Sequence, residues 1–289
     1  MDHPARASLS LMACAALWST AGFFIKTITW NPLAIAGLRS FIGGLVILLY
    51  LRRPRFTFSF PQMAAGVANA VTMLMFVTAT KLTTAANAIL LQYSAPIFVA
   101  VLGWVILKEK PRWEHWTGLV IIVLGIGIFF MDEVTPGNLL GNILATASGL
   151  TFALYSIFMR MQKDGSPTES ILLAHALAFL VSIPFLFSPP DEFGLPGLGA
   201  LLFLGVFQIG ISSLLFSYGI RRVSAIQAML IAGLEPVLNP VWVFLFIGER
   251  PSPKALAGGL LIVAAVTFSS ALSIRQSLRS PTVKPGAVP

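Results

Sequence analysis

Apolar residues fall in blocks of roughly 18 to 24 positions from one end of the chain to the other, parted by short polar stretches. Each block is long enough to cross the hydrocarbon core of a bilayer as a helix, which takes about 20 apolar residues. The pattern predicts spans at 8–28, 33–51, 60–80, 84–107, 114–131, 137–160, 168–187, 197–220, 224–247 and 254–273. The expected fold class is an all-α polytopic membrane protein with ten transmembrane helices. The first block lacks the short apolar region and small-residue cleavage site of a removable signal peptide, so it reads as a retained helix. The interruptions are too short for a soluble domain; the longest, around SPPDEFGLPG, is about ten residues. Residues 1–289 therefore read as one transmembrane domain, with a Pro-rich, disordered tail from Ser280.

The two halves resemble each other. With an offset of 140, KLTTAANAILLQYSAPIFVAVLGWVILKEKP lies over RRVSAIQAMLIAGLEPVLNPVWVFLFIGERP without a gap. Pro96 then meets Pro236, Glu109 meets Glu249, Pro111 meets Pro251 and Gly118 meets Gly258. Leu17-Trp18-Ser19 likewise resembles Leu154-Tyr155-Ser156. The division is a first repeat at 8–131 and a second at 137–273, each with five spans. An odd number per repeat makes the two inverted in the membrane. Inverted repeats are the architecture of alternating-access carriers, with substrate held near the midplane; channels are also built this way.

Charge adds orientation. Of the 19 Lys and Arg residues, 14 fall in one set of alternate loops, four in the other set, and Arg39 lies inside a span. The positive-inside rule puts both termini in the cytoplasm. The net charge of +8 does not point to nucleic acid, because no basic stripe gathers on one folded face. The single cysteine, Cys14, excludes an internal disulfide and a Cys-rich metal site.

Some residues sit badly in apolar runs, above all those of GLEPVLNP at 233–240. Pro236 and Pro240 leave the carbonyls of Ala232 and Pro236 without amide partners, and Pro96 does the same to Gln92. Such backbone must face protein or a wet cavity. The three prolines are candidate hinges; kinks that merely shape the packing are the plainer reading. Glu235 is the only acid well inside a span and Arg39 the only base. Each costs about 3 kcal/mol or more at the centre of an isolated helix. Three readings stay open for Glu235: a structural ion pair or shared hydrogen-bond network with Arg39, a proton-coupling site, or direct contact with a substrate amine.

Other polar and aromatic residues mark a candidate cavity: Trp18, Asn69, Met73, Gln92, Tyr93, Tyr155, Gln208, Ser212, Glu235 and Asn239. Asn69, Met73 and Phe76 share one helix face by spacing, as do Gln208 and Ser212, and Ser213 and Ser217. For any single Ser or Asn, interhelical hydrogen bonding is the commoner role. Together they describe an amphipathic, aromatic-lined, nearly uncharged cavity. It suits a small zwitterion or an apolar organic molecule better than a phosphate, which calls for several Arg or Lys. Trp30, Trp113 and Trp116 read as interface anchors. Gly66 with Ala70, and Gly118 with Gly125, read as close helix contacts. His175 stands alone and reads as a hydrogen-bonded structural histidine.

Enzyme signatures are lacking. The three histidines are scattered, HExxH and Walker A motifs are absent, and an aspartyl protease would need a second membrane carboxylate. The chain reads as no enzyme, with no metal and no cofactor.

The spans and repeats, with NAILLQYSAPIFVAVLGWVILKEKP, QAMLIAGLEPVLNPVWVFLFIGERP, ALWSTAGFFIK and LAIAGLRSFIGG, resemble the EamA type of the drug/metabolite transporter superfamily over about residues 8–273. Within it the chain looks most like the YddG group of aromatic amino-acid and metabolite exporters. That resemblance implies a multi-pass exporter of the bacterial cytoplasmic (inner) membrane, with a cavity lined by spans 1, 3, 4, 6, 8 and 9. The resulting expectation is a secondary-active or facilitative carrier, working as a monomer, that exports neutral or aromatic amino acids and related metabolites by alternating access. Its partners are the small solute, the lipid bilayer and, if transport is coupled, protons. The rival readings are an exporter of cationic drugs or other metabolites, anchored by Glu235, and a scaffold or channel.

Overall fold

Prolines and caps set where the helices begin. Asn31 accepts a hydrogen bond from Leu33 N at 2.9 Å and Pro32 opens α3 (Pro32–Leu51), a position where the missing N–H costs nothing. Pro61 sits in the first turn of α4 (Phe60–Leu82), and Gln62 turns back to accept from Thr57 N and Phe58 N, both at 2.9 Å. Lys108 takes a left-handed φ of 58° where a run of apolar helix stops. A computed structural model describes residues 4–83, 85–129, 139–165, 167–187, 194–238, 242, 245 and 253–279.

Six helices are long and apolar enough to cross a membrane: Ala5–Thr27, Pro32–Leu51, Phe60–Leu82, Leu139–Met161, Pro167–Phe187 and Leu195–Ile220. Shorter apolar helices occur at Ala95–Leu107, Trp113–Ile128, Ala225–Leu238 and Leu256–Ala265. No strand occurs among the described residues. Large apolar side chains face outward along these helices, among them Leu49, Trp104, Val105, Leu124, Leu180, Val181 and Leu260. Water does not tolerate so continuous an apolar coat, and the chain is a multi-pass membrane protein.

Several predicted spans are interrupted rather than straight. The first is α1 (Pro4–Trp18), a turn at Ser19–Thr20, then α2 (Ala21–Thr27). The fourth is α5 (Ala85–Gln92), a turn at Tyr93–Ser94, then α6 (Ala95–Leu107). After α7 (Trp113–Phe129), α8 (Leu139–Met161) is unbroken, and α9 (Pro167–Ser182) ends in a 3-10 turn at Ile183–Phe187. Then α10 (Leu195–Phe203) runs through a π-helical segment at Leu204–Ile211 into α11 (Ser212–Ile220). After α12 (Ala225–Ala232) a turn at Gly233–Leu234 separates a helical stretch at 235–238, and α13 (Pro253–Arg279) closes the described chain.

Helices α4 and α8 pack antiparallel along their full length. A Cβ at Gly141 would lie 3.0 Å from Leu82, Thr72 bonds Thr151 at 2.7 Å, and the rings of Phe60 and Phe158 lie 5.7 Å apart. Small residues set such approaches elsewhere. A Cβ on Gly66 would meet Leu173 at 2.8 Å, and one on Gly125 would meet Ile262 at 2.7 Å and the Gly258 carbonyl at 3.1 Å. Without a hydrophobic drive in lipid, such backbone proximity is what holds helices together.

The two ends of the bundle are tied differently. At one end Lys26 Nζ donates to the Thr83 carbonyl at 2.8 Å, while Lys81 Nζ donates to the Ile28 carbonyl. Each lysine thus satisfies a carbonyl just past the other's helix, where the dipole favours a cation. At the other end Arg160 Nε pairs with Glu109 at 2.8 Å, and its Nη1 donates to the carbonyls of Ile220 and Arg221 at 3.2 and 2.9 Å. Glu109 also accepts from Ala225 N at 3.3 Å. Four chain segments meet on this one ion pair.

Candidate functional site

The breaks after α5 and after α12 meet each other. Tyr93, in the turn between α5 and α6, donates its hydroxyl to the carbonyl of Ala232, the last residue of α12. It also lies 3.0 Å from Glu235 Oε2. Pro236 explains why a donor is wanted: with no N–H, it cannot serve the carbonyl four residues earlier. Pro96 stands in the first turn of α6, so the fourth span restarts after a break instead of bending through a kink. Pro96 and Pro236 are both buried.

A second polar group gathers across from this crossing. Arg39, on α3 and 2 % exposed, donates Nη1 to Gln208 Oε1 at 3.1 Å. Gln208 lies in the π-helical segment, a feature found often at functional sites because it re-aims side chains within a helix. His175, on α9 and 1 % exposed, lines the same space. The expected ion pair needs correction: among the described residues, Arg39 bonds Gln208 and Glu235 bonds Tyr93, and no salt bridge joins the two charges. Each found a nearer neutral hydrogen-bonding partner.

An aromatic wall lines the same space. Trp18 meets Phe152 edge-on at 5.5 Å and Phe216 at 5.4 Å, and Tyr155 stacks on Phe216 at 5.4 Å. The Trp18 indole donates to Ser212 at 2.9 Å, which fixes its ring plane. Asn69, Thr72, Met73 and Phe76 from α4 and Gln92 from α5 complete the lining. Gln92 is held by Ser148 on α8 at 3.1 Å. About 570 Å³ of non-atom space, open solvent included, lies among these side chains.

Most sequence-predicted cavity residues come together here: Trp18, Asn69, Met73, Gln92, Tyr155, Gln208 and Glu235. Tyr93 lies just behind, lining a smaller void with Gln92, Pro96, Met229 and Ala232. Ser212 does not line the cavity; it is fully buried, accepts from Trp18 and donates to the Gln208 carbonyl. Ser213 takes its place. Spacing of four follows an α-helix, whereas π-helical winding brings residues five apart into register, and the π segment ends just here. Asn239 and Pro240 lie outside the described residues.

His175 also needs correction, since neither ring nitrogen has a hydrogen-bond partner. Thr72, Phe152 and Ile209 went unmarked because such residues are common in any membrane helix. Among the described residues no cluster of three His, Cys, Asp or Glu could hold a metal ion.

Known proteins resemble this chain along most of its length. The EamA-like transporter family model matches twice, over residues 5–131 and 139–271. Uncharacterized transporter YwfM of Bacillus subtilis is 28% identical over 276 residues, covering 89% of this chain and 93% of that protein. Pseudopaline exporter CntI of Pseudomonas aeruginosa is 28% identical over 245 residues, covering 80% and 83%. A crystal structure superposes with a TM-score of 0.77 at 22% identity, over 93% of this chain and 98% of that one, so the fold is shared.

Proposed function

The chain belongs to the EamA-like transporter family, and from that premise we propose that it exports neutral amino acids, aromatic ones above all, through the central cavity. One observation carries the reading: a buried acid and a buried base line one cavity without pairing with each other. A charge left alone at membrane depth costs about 3 kcal/mol or more. A small zwitterion neutralises both at once, and the rings of Trp18, Phe152 and Tyr155 offer stacking to an apolar or aromatic side chain. A cationic solute would satisfy Glu235 and leave Arg39 unanswered. A phosphate would find one arginine and face a carboxylate.

The proposed mechanism is alternating access by two inverted five-helix repeats. Supporting the inversion, α1 runs antiparallel to α11: Leu11 meets Gly219 while Trp18 meets Ser212. The ends of α8 and α11 meet at Arg160, so α1 and α8, which carry the matching Leu17-Trp18-Ser19 and Leu154-Tyr155-Ser156, point opposite ways. The end of α6 likewise meets the start of α12 through Glu109 and Ala225. The breaks at Pro96 and Pro236 are the proposed hinges. The Arg160 end carries Lys163, Arg221 and Arg222 and is assigned to the cytoplasm, with the protein in a bacterial inner membrane. That CntI is named an exporter supports the outward direction.

Proteoliposomes test this. Saturable uptake of labelled phenylalanine, competed by leucine and tryptophan but not by a hydrophobic cation such as tetraphenylphosphonium, is expected. Competition by the cation alone would favour a drug carrier. The same assay with and without a pH gradient reads proton coupling.

A further inference from the structure

We infer that Arg39, His175 and Gln208 form a carboxylate subsite, and that Glu235, steadied by Tyr93, takes the ammonium end of the same solute. The inference rests on the amino-acid reading of the cavity and adds an orientation: carboxylate toward α3 and α9, ammonium toward the break after α12.

The donors argue for it. Gln208 takes only Nη1 of Arg39, and Nε is buried without a partner. The edge of the guanidinium that holds Nε and Nη2 is left with two parallel N–H groups, the geometry a carboxylate accepts in bidentate fashion. Both nitrogens of His175, a residue that lines the same cavity, are buried without a partner. A buried polar group left unpaired costs roughly 1–3 kcal/mol. Two such side chains, from different helices and lining one space, mark where a ligand supplies the missing acceptors.

The acceptors lie elsewhere. Glu235 Oε2 lies 3.0 Å from the Tyr93 hydroxyl, whose one proton goes to the Ala232 carbonyl, so the carboxylate keeps capacity for an ammonium. The packing around the arginine is close. A Cβ on Gly44 of α3 would come within 3.4 Å of His175 Cβ, and one on Gly43 within 2.9 Å of Ile209. The backbones of α3, α9 and the π segment therefore hold the three side chains within one wall, and small residues are what permit it.

The test uses the purified full-length protein in detergent and three probes: phenylalanine, 3-phenylpropionate (carboxylate only) and phenethylamine (ammonium only). Binding is measured calorimetrically for wild type, Arg39→Gln, Arg39→Lys and His175→Phe. Arg39→Gln and His175→Phe are expected to weaken phenylalanine and 3-phenylpropionate roughly tenfold or more and to leave phenethylamine unchanged. That unchanged affinity also shows that the variants fold. Arg39→Lys is expected to restore part of the loss. Carboxylate affinity equal in wild type and both variants would overturn the subsite, whatever becomes of the transport reading. Wild-type binding of phenethylamine alone, or of no probe, would overturn both. Binding of 3-phenylpropionate through Arg39 without binding of phenylalanine would keep the subsite and overturn the amino-acid reading.

Discussion

The hydroxyl of Tyr93 caps the carbonyl of Ala232, the carbonyl that Pro236 leaves without an amide donor. The break in one helix is thus completed by a side chain from the break in another. Tyr93→Phe removes the donor and keeps the ring. It is expected to lower stability by about 1–2 kcal/mol, read as a drop in melting temperature in detergent. Pro236→Ala returns an N–H, so adding it to Tyr93→Phe should cost less than the sum of the single changes. Strict additivity would show that the cap is incidental.

The aromatic wall sets side-chain preference. Trp18 contacts Phe152 and Phe216, and Trp18→Ala opens the wall. Loss of one aromatic contact is worth about 0.5–1.5 kcal/mol. The ratio of kcat/KM for phenylalanine over alanine should fall several-fold, while Trp18→Phe should keep most of it. An unchanged ratio in Trp18→Ala would remove the wall from the specificity account.

Much of this was legible in the sequence because lipid makes polar residues conspicuous. Glu235, Arg39, Gln92 and Gln208 stand out in apolar runs, and six of the predicted spans appear as long helices close to the expected bounds. Pro96 and Pro236 lie just past the turns at Tyr93–Ser94 and Gly233–Leu234, whereas no proline marks the turn at Ser19–Thr20. What spacing could not tell was how three helices converge: His175 looked solitary because its neighbour Arg39 is 136 positions away in the chain. Nor does composition announce a π-helical segment, so Ser212 was favoured over Ser213. Charge alone suggested pairing Arg39 with Glu235, and neutral partners at shorter range prevailed.

Glycine packing gives a paired test. A Cβ at Gly125 would press on Ile262 and the Gly258 carbonyl, whereas Gly127, two residues on, faces open space. Gly125→Ala is expected to destabilise by about 1–3 kcal/mol through overpacking. Gly127→Ala is expected to be neutral or to stabilise by up to about 1 kcal/mol through helix propensity. Equal shifts in melting temperature would contradict the α7–α13 contact.

Glu109 and Arg160 hold one end of the bundle together. With Cys14 replaced by serine and a cysteine placed at cavity-lining Ser213, Glu109→Gln should free that end. Labelling by a membrane-impermeant thiol reagent in inverted vesicles is expected to speed up several-fold. An unchanged rate would mean that the ion pair does not gate access.

The central claim is a carrier whose one cavity neutralises a zwitterion and faces each side in turn. Solute counterflow tests it most directly: proteoliposomes loaded with unlabelled phenylalanine and diluted into trace labelled phenylalanine. The account predicts transient accumulation of label above the outside concentration, lost in Glu235→Gln and in Arg39→Gln. Label that only equilibrates would indicate a channel, and undiminished accumulation in both variants would contradict the role given to the two charges.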